Sequence, residues 1–219
     1  MKTKFIAVGT GVHETDVSPL RTSAGDVQHV TEFTYLGCLI IPDGTTSADV
    51  THRIAAASKA FRRLRKPVFN NRDLPVSTKR NVYTATVLSA LLYGSETWTP
   101  LQRDVRRLEV FHNQCLRTIF GISGKRQQEE RLSSSTVRTW WGDTELVTEK
   151  IMFRRLTWLG HVIRMSPERL PRLLLFGSLT QTRPQHKPKK RWKDAIRADL
   201  KMANVKERDL CDATSCRST

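Results

Sequence analysis

Long apolar runs are missing from this sequence. No stretch approaches the ~18 apolar residues that a membrane-spanning helix needs, and residues 1–12 are too short and too polar for a secretory signal. A bilayer-spanning protein and a secreted protein are therefore both poor matches. Of the two polyanionic partners that a basic chain commonly binds, we therefore expect nucleic acid more than a membrane surface.

Cysteine is also scarce. The chain has four cysteines at scattered positions, namely Cys38, Cys115, Cys211 and Cys216. Nothing in their spacing indicates an oxidising compartment, and no second ligand pair follows Cys211 and Cys216 as a zinc site would require. We interpret them as reduced thiols and predict no metal site.

Paired carboxylates and activated nucleophiles are not found either. A two-metal polymerase or nuclease needs carboxylates that converge on ions ~3.5–4 Å apart. We interpret the acids at Asp43, Glu129, Glu130, Asp194 and Asp199 as solvated or paired surface groups. No Ser or Cys has a histidine at a motif-like spacing, and no glycine-rich phosphate loop is present. The sequence therefore predicts no catalytic residues, no cofactor and no activity as an isolated enzyme.

Acidic residues are too few to balance the basic ones. Thirty-seven Lys and Arg face 21 Asp and Glu, which gives a net charge of +16. A chain this basic attracts polyanions, because each neutralised phosphate releases counterions. With 38% hydrophobic residues the chain is nevertheless expected to fold.

The predicted fold is mainly α-helical with a small antiparallel β-hairpin or sheet at the N-terminus. Strands are expected at 4–9 and 29–41, with Gly25-Asp26 as the turn between them. Apolar spacing then predicts helices from Thr46 through the 50s and 60s, from Pro75 to Gly94, from Leu101 to Gly121, and over roughly 144–165. Residues 123–135 carry little helical signal, whereas Trp192, Ile196 and Leu200 form an apolar stripe on a C-terminal helix.

These elements suggest five segments. They are a β segment at 1–44, a helical bundle at 45–122, a second helical region at 123–179, a basic linker at 180–191, and C-terminal helices with a tail at 192–219.

The first predicted helix carries cations with few acids among them. Surface helices usually mix Glu with Lys, and a face of one sign repels itself unless phosphates bind it. We therefore predict that this face binds nucleic acid, through Arg53, Lys59, Arg62, Arg63, Arg65 and Lys66.

A second cluster follows in the proline-bearing linker, and it is assigned to nucleic-acid binding, to nuclear import, or to both. Its members are Arg183, Lys187, Lys189, Lys190 and Arg191. Five tryptophans are further candidates, either for base stacking or for the core: Trp98, Trp140, Trp141, Trp158 and Trp192. For Trp158 we favour the core.

Three blocks, in order, resemble the reverse transcriptases of non-LTR retrotransposons, the long interspersed elements. They are FTYLGCLI, LLYGSETW and RRLTWLGHVIRM. The resemblance covers nearly the whole chain, although residues 127–143 match poorly. It implies that Phe33, Tyr35, Leu36 and Gly37 correspond to the primer grip, and that the helices from Thr46 to Gly121 correspond to the thumb.

The same resemblance implies that Lys2-Thr3-Lys4 lies at the end of a palm whose catalytic aspartates precede this chain. The expected function is template–primer binding to an RNA–DNA hybrid, DNA or RNA, in an intracellular and nuclear protein that lacks polymerase chemistry. Two alternatives remain open. In the first, the chain is a helical protein-interaction module. In the second, it is the non-functional product of a decayed retroelement.

Overall fold

The structure is a computed structural model that describes residues 4–7, 20–22, 25–176 and 191–205. The chain divides into two compact units. The first comprises Met1–Ala48, Glu96–Thr99 and Met152–Thr219, and the second comprises Asp49–Ser95 and Pro100–Ile151. In sequence order, the predicted segments 45–122 and 123–179 each contribute residues to both units.

Short strands make up the N-terminal part of the first unit. They are β1 (Lys4–Phe5), β2 (Leu20–Thr22), β3 (Gly25–His29), β4 (Phe33–Tyr35) and β5 (Cys38–Ile40). β4 and β5 pair antiparallel, which agrees with the predicted antiparallel hairpin or sheet. β2 also pairs antiparallel with β3, but no strand was predicted at Leu20–Thr22. β1, however, pairs parallel with β3, through Lys4 opposite Gln28. Gly25 and Asp26, predicted as a turn, are the first two residues of β3.

Two C-terminal helices of the first unit are α8 (Leu170–Phe176) and α9 (Trp192–Met202). The predicted stripe of α9 is buried: Ile196 and Leu200 form a cluster with Leu159 and Ile163, and Trp192 packs against it. Trp158, which we assigned to the core, is half-buried.

A buried ion pair adjoins this apolar cluster. Arg155 donates from Nε and Nη2 to the two carboxylate oxygens of Asp199, over 2.6 and 2.9 Å. Asp199 is therefore paired, as predicted, but it lies in the interior and not at the surface.

The second unit is helical and contains the helices predicted from Thr46, Pro75 and Leu101, together with the start of the helix predicted over 144–165. Its elements are α1 (Ser47–Leu64), a π-helical turn (Arg65–Phe69), α2 (Val76–Tyr83), a second π-helical turn (Thr84–Leu88), α3 (Ser89–Leu91), α4 (Gln102–Ile119), α5 (Gly124–Glu129), α6 (Ser134–Trp141) and the start of α7 (Val147–Ile163). Aromatic rings fill its centre, where Phe61 stacks on Phe69 at 4.8 Å and Tyr83 meets Trp141 edge-on at 5.6 Å.

The region of low helical signal contains two short helices that the apolar pattern does not reveal. A capping serine directly precedes each of them. The hydroxyl of Ser123 accepts from the backbone N–H of Arg126, and the hydroxyl of Ser133 accepts from that of Thr136. Side-chain capping of this kind satisfies backbone donors that a helix leaves unpaired, so these helices depend on polar groups more than on a long apolar stripe.

None of the helices in the described ranges combines the length and the apolar character needed to cross a bilayer.

Candidate nucleic-acid interface

Helix α1 separates an apolar face from a charged one. Val50, Ala57 and Phe61 are buried, and their spacings of seven and four residues correspond to about two turns and one turn of an α-helix. Packing of this stripe turns the remaining positions of the helix toward solvent.

Five of the six cations predicted on this helix are exposed. They lie at its C-terminal half and on the π-helical turn that follows, and we call them the α1 basic end: Lys59, Arg62, Arg63, Arg65 and Lys66. None of them forms an ion pair with a carboxylate in the described part of the chain. Lys66 lies seven positions after Lys59, which is ~10 Å along a helix axis. A nucleic-acid duplex presents one phosphate per ~1.7 Å of its axis, so several phosphates lie within that length.

Several acids of the second unit pair with other cations and therefore do not compensate the α1 basic end. The pairs are Asp49 with Arg53, Asp104 with Arg107, Glu130 with Arg126, and Asp143 with Lys150. Glu109 instead accepts from the backbone N–H of Val147 at 2.6 Å, at the start of α7.

Arg53 does not lie on this exposed face, and here the prediction from the sequence pattern is corrected. The residue is 7% exposed. Its Nε lies 3.5 Å from Asp49 Oδ1, and its guanidinium carbon lies 4.5 Å from the centre of the Tyr93 ring. The sequence contains a sign of this position, because Arg53 is three residues after Val50 and four before Ala57, on the apolar stripe itself.

Arg72, Arg103 and Arg106 are examples of exposed arginines that were not among the predicted binding residues. Arg72 follows the π-helical turn, and Arg103 and Arg106 lie on α4, the helix that packs against that turn. Arg72 is a single cation in a loop and therefore has no periodic signal. The pattern of α4 shows that Arg103 and Arg106 face away from its apolar stripe, but not which helix lies beside them.

The primer-grip-like segment forms the β4–β5 hairpin. Leu36 and Gly37 are its two central residues, and both have positive φ, 48° and 83°. Two such residues in a row give the turn twist that matches antiparallel strands, but only glycine adopts it without strain. Tyr35 and Leu36 are exposed at the tip, and Phe33 is half-buried.

The second predicted basic cluster is only partly described. Lys187, Lys189 and Lys190 lie outside the described residues, as do Arg183, Lys2, Cys211 and Cys216. Arg191 is exposed at the start of α9, where its backbone N–H donates to Asp194 Oδ2 over 2.8 Å. Among the tryptophans, Trp98 and Trp141 are buried and Trp140 is 45% exposed, so Trp140 is the best placed of these three to stack on a base.

A buried polar group occupies the centre of the second unit. Tyr83 Oη lies 2.9 Å from His112 Nδ1. Burial raises the pKa of the Cys115 thiol to about 12, although a hydrogen bond with Tyr83 lowers that pKa in part. Burial also lowers the pKa of His112 to about 4, and the positive charge of Lys150 adds to this effect. The Cys115 thiol therefore stays protonated and is not an activated thiolate nucleophile.

Over the described stretches of sequence, no three His, Cys, Asp or Glu side chains are grouped so that they could hold a metal ion.

Comparison with known proteins points to transposon-derived proteins as the class that this chain resembles. One such relative is an uncharacterized transposon-derived protein of Caenorhabditis elegans, 27% identical over 188 residues, which are 82% of this chain. The match covers 63% of the length of that relative. No protein-family model matches the chain, and no solved structure matches it. The similarity supports a transposon origin.

Proposed function

We propose that this chain binds nucleic acid as a product of a retroelement, from the region that follows the palm in a non-LTR reverse transcriptase. Its role would be to hold a template–primer duplex, without polymerase chemistry of its own. Three sequence blocks in the family's order and a transposon-derived relative support this origin. A nuclear location and binding through Lys187, Lys189, Lys190 and Arg191 belong to the same proposal.

The observation that carries the proposal is the α1 basic end. Five exposed cations that share no ion pair with a described acid create a strongly positive surface on one end of a helix. Keeping like charges together costs free energy, and a phosphate backbone offsets that cost by releasing counterions.

Binding through such a surface is expected to be steep in salt and weakly selective in sequence. Phosphate contacts position a protein on a duplex but carry no direct sequence information. With about five phosphates neutralised, the association constant should fall on the order of 10²- to 10³-fold between 50 and 200 mM salt.

Fluorescence anisotropy with a labelled RNA–DNA hybrid tests this. The test variant changes Arg62, Arg63 and Lys66 to Glu, and the matched control changes Lys125, Arg126 and Arg131 to Glu. Both variants lose the same net charge, and both sets are exposed. We expect the test variant to lose binding and the control to retain most of it, with circular dichroism showing that both remain folded.

Equal losses in the two variants would mean that net charge alone attracts the hybrid, and would contradict a site at α1. If the unaltered chain stays unbound at micromolar concentration, the remaining interpretations are a helical protein-interaction module and the non-functional product of a decayed retroelement.

A further inference from the structure

Helix α8 presents leucines to solvent. Leu170 and Leu174 are each 71% exposed, and Leu173 is 50% exposed. Their spacing of i, i+3 and i+4 puts all three on one side of the helix. We call this surface the α8 leucine face.

The inner side of α8 is already used in the fold of the first unit. Leu175 packs against the cluster of Leu159, Ile163, Ile196 and Leu200. Arg172 donates to the carbonyl of Met165, and its guanidinium lies over the ring of Phe176 at 5.9 Å. The leucine face is therefore an additional apolar surface, and α8 remains attached to the fold without it.

Contiguous apolar surface of this kind is uncommon on a folded chain. Three leucines exposed to this extent present on the order of a few hundred Å², comparable with the largest apolar patch of a typical monomer, which is often functional. A standard stable interface buries ~800 Å² per partner. The face by itself is thus large enough for a peptide-like contact and too small for a stable dimer.

Two exposed arginines that precede the leucine face in sequence help to select among partners. Arg169 lies one helical turn before Leu173, and Arg164 precedes it in the connection from α7. Both arginines are exposed, and neither pairs with a described carboxylate. The nearby acid in sequence, Glu168, accepts a hydrogen bond from the hydroxyl of Ser166. A second copy of this chain would bring a further net charge of +16 toward these arginines, and nucleic acid would leave the leucines uncovered.

We propose that the α8 leucine face docks an acidic amphipathic segment of a partner protein. Apolar side chains of that segment cover Leu170, Leu173 and Leu174, and its carboxylates face Arg164 and Arg169. Short helical segments are commonly bound through apolar anchors at this spacing, with charge setting the choice of partner more than the affinity.

A peptide-display selection against the full chain tests this proposal. The enriched peptides should carry apolar residues three to four apart together with Asp or Glu. A synthetic enriched peptide should bind at least 10-fold more weakly to a Leu170→Ser, Leu174→Ser variant and several-fold more weakly to Arg169→Glu. Val110→Ser, at an exposed apolar position on α4, is the matched control and should bind like the unaltered chain.

Four results would overturn the proposal. The enriched peptides could lack acidic residues or bind the double serine variant equally well. Sedimentation could reveal a dimer that the double variant abolishes, which would assign the face to a second copy. Vesicles of phosphatidylserine and phosphatidylcholine could bind the unaltered chain and not the double variant, which would assign it to a membrane. The variant with Arg62, Arg63 and Lys66 changed to Glu should retain peptide binding, so this surface is tested separately from the proposed nucleic-acid interface.

Discussion

Arg155 and Asp199 form a two-pronged ion pair in the interior of the first unit, with both side chains 7% exposed. The same guanidinium donates from Nη1 to the carbonyl of Trp98 at 3.2 Å. One arginine of α7 therefore holds the C-terminal helix α9 and the segment Glu96–Thr99 at once. Trp192 adds a second link by donating from its indole nitrogen to the carbonyl of Glu96 at 2.8 Å.

Removing one partner of this pair should strongly destabilise the first unit. Asp199→Ala leaves the Arg155 charge buried without its carboxylate, which typically costs about 3–5 kcal/mol. Urea denaturation monitored by tryptophan fluorescence measures the loss. The double variant Arg155→Met, Asp199→Leu should be less destabilised than Asp199→Ala, because it buries no uncompensated charge; a double variant that is equally unstable would contradict this explanation.

His112 should make the stability of the second unit depend on pH. Burial, followed by the charge of Lys150, lowers its folded-state pKa to about 4 from an ordinary 6.5. The unfolded chain therefore binds a proton below pH 6.5 that the folded chain does not bind until pH 4. The contribution of His112 is complete above pH 6.5 and is lost between pH 6.5 and 4, by about 3 kcal/mol in total.

The groups that face His112 come from several elements. They are Tyr83 on α2, Arg138 on α6, Asp143 after α6 and Lys150 on α7. Urea unfolding at pH 7 and pH 4 should show a smaller difference for His112→Gln than for the unaltered chain. His52→Gln, at an exposed position on α1, is the control and should keep the full difference.

Replacing Gly142 with alanine should lower the stability of the second unit. It ends α6 with φ 72°, and a Cβ there would lie 2.2 Å from Arg80 Nη1. Arg80 is held in place by donating to the carbonyl oxygens of Trp141 and Gly142. Backbone strain alone costs about 1–2 kcal/mol for an L-residue in this region, so Gly142→Ala should lower the melting temperature by several degrees. Gly124→Ala, which meets open space at the start of α5, should change it little.

Arg53 and Arg62 should behave differently although they share α1. Arg53→Met removes a buried partner of Asp49 and should reduce stability without changing the salt dependence of hybrid binding. Arg62→Met removes an exposed cation and should leave stability unchanged while lowering the salt slope by about 0.9. Thermal melting and anisotropy titrations on both variants measure this; an equal reduction of the slope by Arg53→Met would contradict the buried position as the cause.

Periodicity in the sequence determined the longer helices and which face of each is buried, but it did not reveal the short helices α5 and α6. The apolar stripes at Val50–Phe61 and Trp192–Leu200 are set by side chains close in sequence, and a helix follows its own 3.6-residue period. For the same reason the exposed set Lys59, Arg62, Arg63, Arg65 and Lys66 was predicted correctly as a surface, while its role in binding nucleic acid stays a prediction.

Only the tertiary structure decided which residues distant in sequence meet. The parallel pairing of β1 with β3, the cation–π contact of Arg53 with Tyr93 and the burial of Asp199 beside Arg155 each depend on a partner tens of residues away. The solvent exposure of the α8 leucines likewise depends on what packs beside them. Charge and hydropathy report the preference of a single side chain for water or for the interior, and its surroundings are fixed only when the elements have packed.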